Sequence, residues 1–173
     1  MGMDDRLTRF LLEGIVQAGL LYTPQLRPGL SVEKVLDDEL VLVASWPNPT
    51  LDLGDAYVFV DWGPEFVHAH AAELPDLATH GLTLSLGAMA AEFVVRRRAA
   101  AYLPVRYIKR YLDAGQLHLV PDAPSFPYPV WSVWRDDLDP DIAAVGRRTL
   151  RIVADAADFD QSEVVKELQS ISG

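Results

Sequence analysis

Four stretches of this chain lie where an anion could be held. Ser85, Leu86 and Gly87 open a segment with helical apolar spacing, and Ser85 is a suitable N-cap. The start of a helix presents unpaired N–H groups that attract negative charge, and Gly87 permits close approach to the backbone. Trp62 and Gly63 precede Pro64, which suits the first turn of a second helix. Tyr22 and Thr23 finish one short strand-like run, and Tyr102 with Leu103 finishes another; open α/β sheets place ligands at such strand ends. The chemistry predicted is recognition of a small organic anion or amphipathic metabolite. Each residue also has a plainer reading. Ser85 serves equally as a simple cap, Thr23 as a turn hydroxyl, and Tyr22, Trp62 and Tyr102 as core aromatics.

Bond-making chemistry finds no such support. The chain has no cysteine, which excludes disulfides, thiolate catalysis, iron–sulfur clusters and cysteine zinc sites. No G-x-S-x-G, phosphate-loop or dinucleotide glycine pattern is present. Any two of the 25 acidic residues could meet as an acid–base pair, but no spacing favours one. His68 and His70 fall on different faces of a helix. Glu65 and His68 share a face without a third ligand, and His80 stands apart. Asp37, Asp38 and Glu39 lack the spacing of a calcium loop. The expectation is therefore no metal, no cofactor and no enzyme activity.

The chain has 173 residues, 50% hydrophobic and 23% charged, enough for one large domain or two small lobes. No apolar run reaches the length of a membrane span. The acidic start, Met1 to Asp5, lacks the basic and apolar regions of a secretory signal, so the expected location is cytoplasmic. A net charge of -10 repels nucleic acid overall. The one basic run, Arg96 to Arg98, reads as a solvated helix end that complements the macrodipole.

The positioning elements alternate. Residues 7–18 read as a helix with Leu7, Phe10, Leu11, Ile15 and Ala18 along one stripe. Strands follow at residues 20–22 and 40–44, with mixed strand and turn character at 30–36. The all-apolar run at 40–44 is the pattern of a strand buried on both faces. Further strands are predicted at residues 57–60, 82–84, 101–103, 117–120 and 130–134. Helices are predicted from Pro64 to about Leu74, from Ser85 through Val94, and from Pro104 to a stop at Gly115. A last helix opens at Asp139-Pro140 with Ile142, Val145, Thr149, Ile152 and Val153 on one side, and residues 162–171 either dock as helix or fray. This alternation predicts an α/β fold with largely parallel sheets. Punctuated crossings near 45–49 and 121–129 divide it into residues 1–45 plus 122–173 as lobe I and residues 46–121 as lobe II. A helix running straight into a buried strand at the start reads as the middle of a fold, with the opening strand not in this chain.

Five motifs in order resemble the effector-binding domain of LysR-type transcriptional regulators. The stretch from Leu11 to Leu21 is similar to that family's "LL.G.LDLGL", and Leu36 to Ala44 to its "L..E.LVLV". Ala99 to Pro104 resembles "G.G.A.LP". Gly115 to Val120 followed by Pro129 to Trp134 resembles "G.L..V" and "P.Y.VW". Asp61 to Phe66 is similar to a "WGP.F" element in part of the family. The resemblance implies a two-lobe periplasmic-binding-protein-like (type II) α/β fold whose first lobe lacks its opening β-α-β unit. It implies a small effector held in an inter-lobe cleft and sensed by hinge closure; the residues expected to face it, from the helix starts and strand ends above, are Tyr22, Thr23, Trp62, Gly63, Ser85, Leu86, Gly87 and Tyr102, with an organic anion the leading ligand class. It also implies a homo-oligomer, with dimer the leading expectation, that meets DNA only through a winged helix-turn-helix absent here. A stand-alone solute-binding protein of the same fold is the alternative, and a small enzyme a more distant one.

Overall fold

The structure, a computed structural model, describes residues 3–77, 82–84 and 87–172. The chain forms two compact units, Met1–Asp38 with Tyr128–Phe159, and Glu39–Pro127 with Asp160–Gly173. The expected divisions at 45/46 and 121/122 thus fall at 38/39 and 127/128, and the last residues group with the second unit rather than the first.

In the first unit, helix α1 (Met3–Leu12) leads to strand β1 (Ala18–Leu21). The helix is shorter than residues 7–18 because Gly14 stops it at φ +72°. The N–H groups of Gly14 and Ile15 then donate to the carbonyls of Leu11 and Phe10 at 3.1 and 2.9 Å, a Schellman end that turns Ile15 out of the stripe. Strand β2 (Leu30–Leu36) and the late strand β9 (Val130–Arg135) complete a sheet in the order β1-β9-β2. Both pairings are antiparallel, with Ala18 opposite Trp134 and Leu30 opposite Arg135. Leu11, Leu21, Leu30 and Val133 form the core, and Leu7, Val16 and Val32 pack against it. Among the described residues, β9 is the one strand beside β1.

The second unit is built on β3 (Glu39–Ala44), which is buried from Leu40 to Ala44. It pairs antiparallel with β6 (Ala100–Pro104) on one side and with β7 (His118–Leu119) and β8 (Phe126–Pro127) on the other. The sheets are therefore not largely parallel. A continuous apolar run reports burial of both faces and carries no information on strand direction. The parallel pair is β4 (Val58–Val60) with β5 (Leu82–Leu84), joined by a parallel bridge from Tyr57 to Ala100. Helices α2 (Pro64–Glu73), α3 (Gly87–Arg96) and α4 (Val105–Asp113) cover this sheet system.

The last helix, α5 (Pro140–Ile171), is continuous over 32 residues. The Asp139 carboxylate caps it, accepting from the N–H groups of Asp141 at 2.9 Å and Ile142 at 3.4 Å. Its apolar side faces solvent. Ile142, Val145, Ile152 and Val153 are 61–65% exposed, and Ala143 and Ala154 are buried instead. The reason is steric: Gly146 lies so close to Trp134 that a Cβ there would meet the indole at 2.5 Å. The small-residue side can approach β9; the β-branched side cannot. Within the second unit, Val164 and Leu168 are buried and Glu163 lies 3.5 Å from Lys109, so the end of α5 docks as helix.

Candidate functional site

An α-helix followed directly by a strand runs antiparallel to it, so the start of α1 comes back beside the end of β1. Tyr22 and Thr23 form the bend after that strand. The Asp4 carboxylate meets them: its Oδ2 accepts from Tyr22 N–H at 3.1 Å, Thr23 N–H at 2.8 Å and the Thr23 hydroxyl at 2.9 Å. Three donors on one oxygen, two of them successive backbone amides, make a small anion seat. The Tyr22 ring stacks on Tyr128, centroids 4.4 Å apart and 12° from parallel. Asp5 adds a longer contact, accepting from the Gln25 side chain at 3.4 Å.

In the second unit the turn after β4 brings Trp62, Gly63 and Tyr102 together. Trp62 is buried and its indole N–H donates to the Tyr102 carbonyl at 2.7 Å. Gly63 sits at φ +105°, a backbone that favours glycine, and open space surrounds the position a Cβ would take. Its N–H donates to the Asp61 carboxylate at 2.9 Å and it caps α2, with Pro64 in the first turn as expected. Tyr102 is fully buried and its hydroxyl donates to the Pro124 carbonyl at 2.9 Å. Gly87 is the first residue of α3. Ser85, Leu86 and His80 lie outside the described residues.

Tyr102 belongs to an aromatic cluster with Tyr57, Phe59, Phe66, Phe126 and His70, ring centroids 5.1–6.3 Å apart. His70 is fully buried and its Nε2 lies 2.7 Å from the Tyr57 hydroxyl, while its Nδ1 has no hydrogen-bond partner among the described residues. Burial lowers the His70 pKa below its ordinary 6.5. Burial raises both tyrosines above the usual phenol range, and at Tyr102 the neighbouring Tyr57 adds to it. All three side chains are therefore neutral near pH 7.

His68 is exposed, with Nδ1 2.7 Å from the Pro64 carbonyl. Among the described residues, no group of three His, Asp or Glu side chains could hold a metal ion. In the basic run, Arg96 pairs with Glu92 at 3.2 Å and the Arg98 guanidinium lies 5.5 Å from the Trp46 ring. No helix among the described residues is long and apolar enough to cross a membrane.

Sequence reasoning missed Asp4 and the His70–Tyr57 pair. The signal for Asp4 was an acid in a helix's first turn, with a threonine one helix and one strand later. His70 offered the signal of a polar residue four positions from Phe66 on a helix face otherwise apolar.

Solved structures share the fold at low identity. The regulatory domain of HypT from Salmonella typhimurium, bound to bromide, is 16% identical with a TM-score of 0.70, over 88% of this chain and 79% of that one. The regulatory domain of MetR (NMB2055), a LysR family regulator from N. meningitidis, is 16% identical with a TM-score of 0.63, over 92% and 78%. Full-length LysG from Corynebacterium glutamicum with bound effector Arg is 16% identical with a TM-score of 0.61, and the chain covers 56% of it. No curated protein matches the sequence. The sequence model described as "LysR substrate binding domain" matches residues 1–151. The chain therefore belongs to the LysR substrate binding domain family, with the periplasmic-binding-protein-like (type II) α/β fold of LysR-type regulatory domains.

Proposed function

We propose that this chain is the effector-sensing part of a LysR-family transcriptional regulator. It recognises a small organic anion without transforming it, and it associates with a second copy. DNA is met through a reader domain outside this chain, and the site of action is the cytoplasm. The observation that carries this reading is the family match over residues 1–151. The convergence of three donors at the end of β1 supports an anionic ligand, with Tyr22 and Thr23 as its contacts. The bromide-bound HypT domain shows that a domain of this fold can hold an anion, there an inorganic one. The second unit, taken by itself, carries separate candidate contacts at Gly63, Ser85, Leu86 and Gly87. Trp62 and Tyr102 brace the Gly63 turn from behind. In the whole regulator, an effector that prefers one arrangement of the sensor shifts the population and so alters DNA engagement.

Self-association is supported by the apolar stripe on α5. Ile142, Val145, Ile152 and Val153 are exposed and fall within about 100° of one helix face. Leu12, Ile15 and Leu20 are further exposed apolar side chains in the same unit.

A thermal-shift screen of small organic acids tests the sensor reading. A ligand that binds only the folded chain raises Tm in a concentration-dependent way, by an equivalent of about 2.7 kcal/mol at a hundredfold excess over Kd. At least one carboxylate that does so is expected. A panel with no stabilising acid contradicts the reading.

A further inference from the structure

The seat at the end of β1 is occupied by the chain itself. Asp4 comes from the first turn of α1, yet its donors lie 18 and 19 residues away, at Tyr22 and Thr23. Two adjacent amides and a hydroxyl converge on Oδ2 at 2.8–3.1 Å, as oxyanion sites do. We propose that Asp4 is a tethered stand-in for the carboxylate of the ligand, and that a free carboxylate binds this seat by displacing it.

The inference rests on the anion-sensing reading above and adds how the site is regulated. A tethered carboxylate competes at an effective concentration on the order of millimolar or higher. A simple carboxylate therefore cannot displace it at ordinary concentrations, and a ligand with further contacts can. This makes Asp4 a specificity filter against small carboxylates. Displacement also unties the first turn of α1 from β1, so ligand binding is coupled to the position of that helix. The ligand must supply an acceptor of the same charge and size as the Asp4 headgroup. Its class is a small carboxylate, with the stacked Tyr22–Tyr128 pair beside the seat.

Acetate is the test probe, because it is the Asp side chain cut free at Cα. Asp4→Ala should lower Tm in chloride buffer. Acetate at matched ionic strength should raise it again, saturably, by about 2–4 °C. The wild-type chain and the double variant Asp4→Ala with Thr23→Val should not respond. If Asp4→Ala is unfolded in chloride, recovery of its near-UV circular dichroism in acetate supports the proposal equally. Asp4→Asn, which keeps the shape and loses the charge, is the second variant. Acetate should stabilise it at a concentration at least tenfold below any that affects the wild type. Absence of an acetate response in both variants overturns the proposal, as does an equal response in the wild type. Either failure leaves the sensor reading standing, since that is decided by effector binding to the unaltered chain.

Discussion

Two residues set the chemistry of the second unit by being buried without charge. His70 is enclosed by aromatic rings and touches the Tyr57 hydroxyl, so protonating it places a cation in a buried aromatic setting. Its folded pKa lies below the unfolded value near 6.5. The unfolded chain therefore takes up the proton first as pH falls. The stability linked to His70 is complete above about pH 6.5 and declines as pH drops below it toward the lowered folded value. Urea unfolding of the wild type and of the double variant His70→Phe with Tyr57→Phe, from pH 7.5 to 5, should show their difference shifting in the variant's favour with acidification. A pH-independent difference would contradict this. His70→Ala should cost about 2–4 kcal/mol, from the lost packing and the unpaired Tyr57 hydroxyl. Gly63 carries a different constraint. At φ +105° any side chain is strained, so Gly63→Ala should destabilise by about 1–3 kcal/mol although no atom stands in the way. The same denaturant measurement reads it.

At the scale of elements, α5 is decided by one glycine. Replacing a helix-interior Gly by Ala ordinarily gains about 1 kcal/mol. Gly146→Ala should instead destabilise by about 1–3 kcal/mol, because the Trp134 indole, itself buried and hydrogen-bonded to Ser132 at 2.9 Å, has nowhere to move. A gain in Tm would show that the helix can shift. The opposite face makes the complementary prediction. Val145→Glu with Ile152→Glu should leave unfolding free energy nearly unchanged, since both side chains are exposed. The same pair should convert a self-associated chain to monomer by sedimentation at micromolar concentration. A wild type that is strictly monomeric there contradicts the self-association reading.

Most elements were legible because their signals are local. Pro64 and Asp139 opened helices where expected, and the apolar run of β3 reported its burial. Strand direction was not legible, because β9 reaches β1 and β2 from about a hundred residues away and leaves no local mark on them. The buried side of α5 was not legible for the related reason that apolar spacing identifies a face but not its destination. A glycine amid that face's neighbours was the clue to close packing.

For the whole molecule, membership of the family follows from residues 1–151 and the shared fold, while the proposed ligand site rests on local geometry. Tyr22 and Thr23 were legible as residues at the end of a strand. Their occupant was not, because Asp4 is distant in sequence and meets them only through the return of α1 along β1. The central claim, that this chain recognises a small organic anion at that strand end, is tested most directly by amide NMR spectra recorded against a panel of small organic acids. The account predicts saturable shifts of the Tyr22 and Thr23 N–H signals with at least one acid. Spectra in which those two amides stay fixed throughout the panel would contradict it.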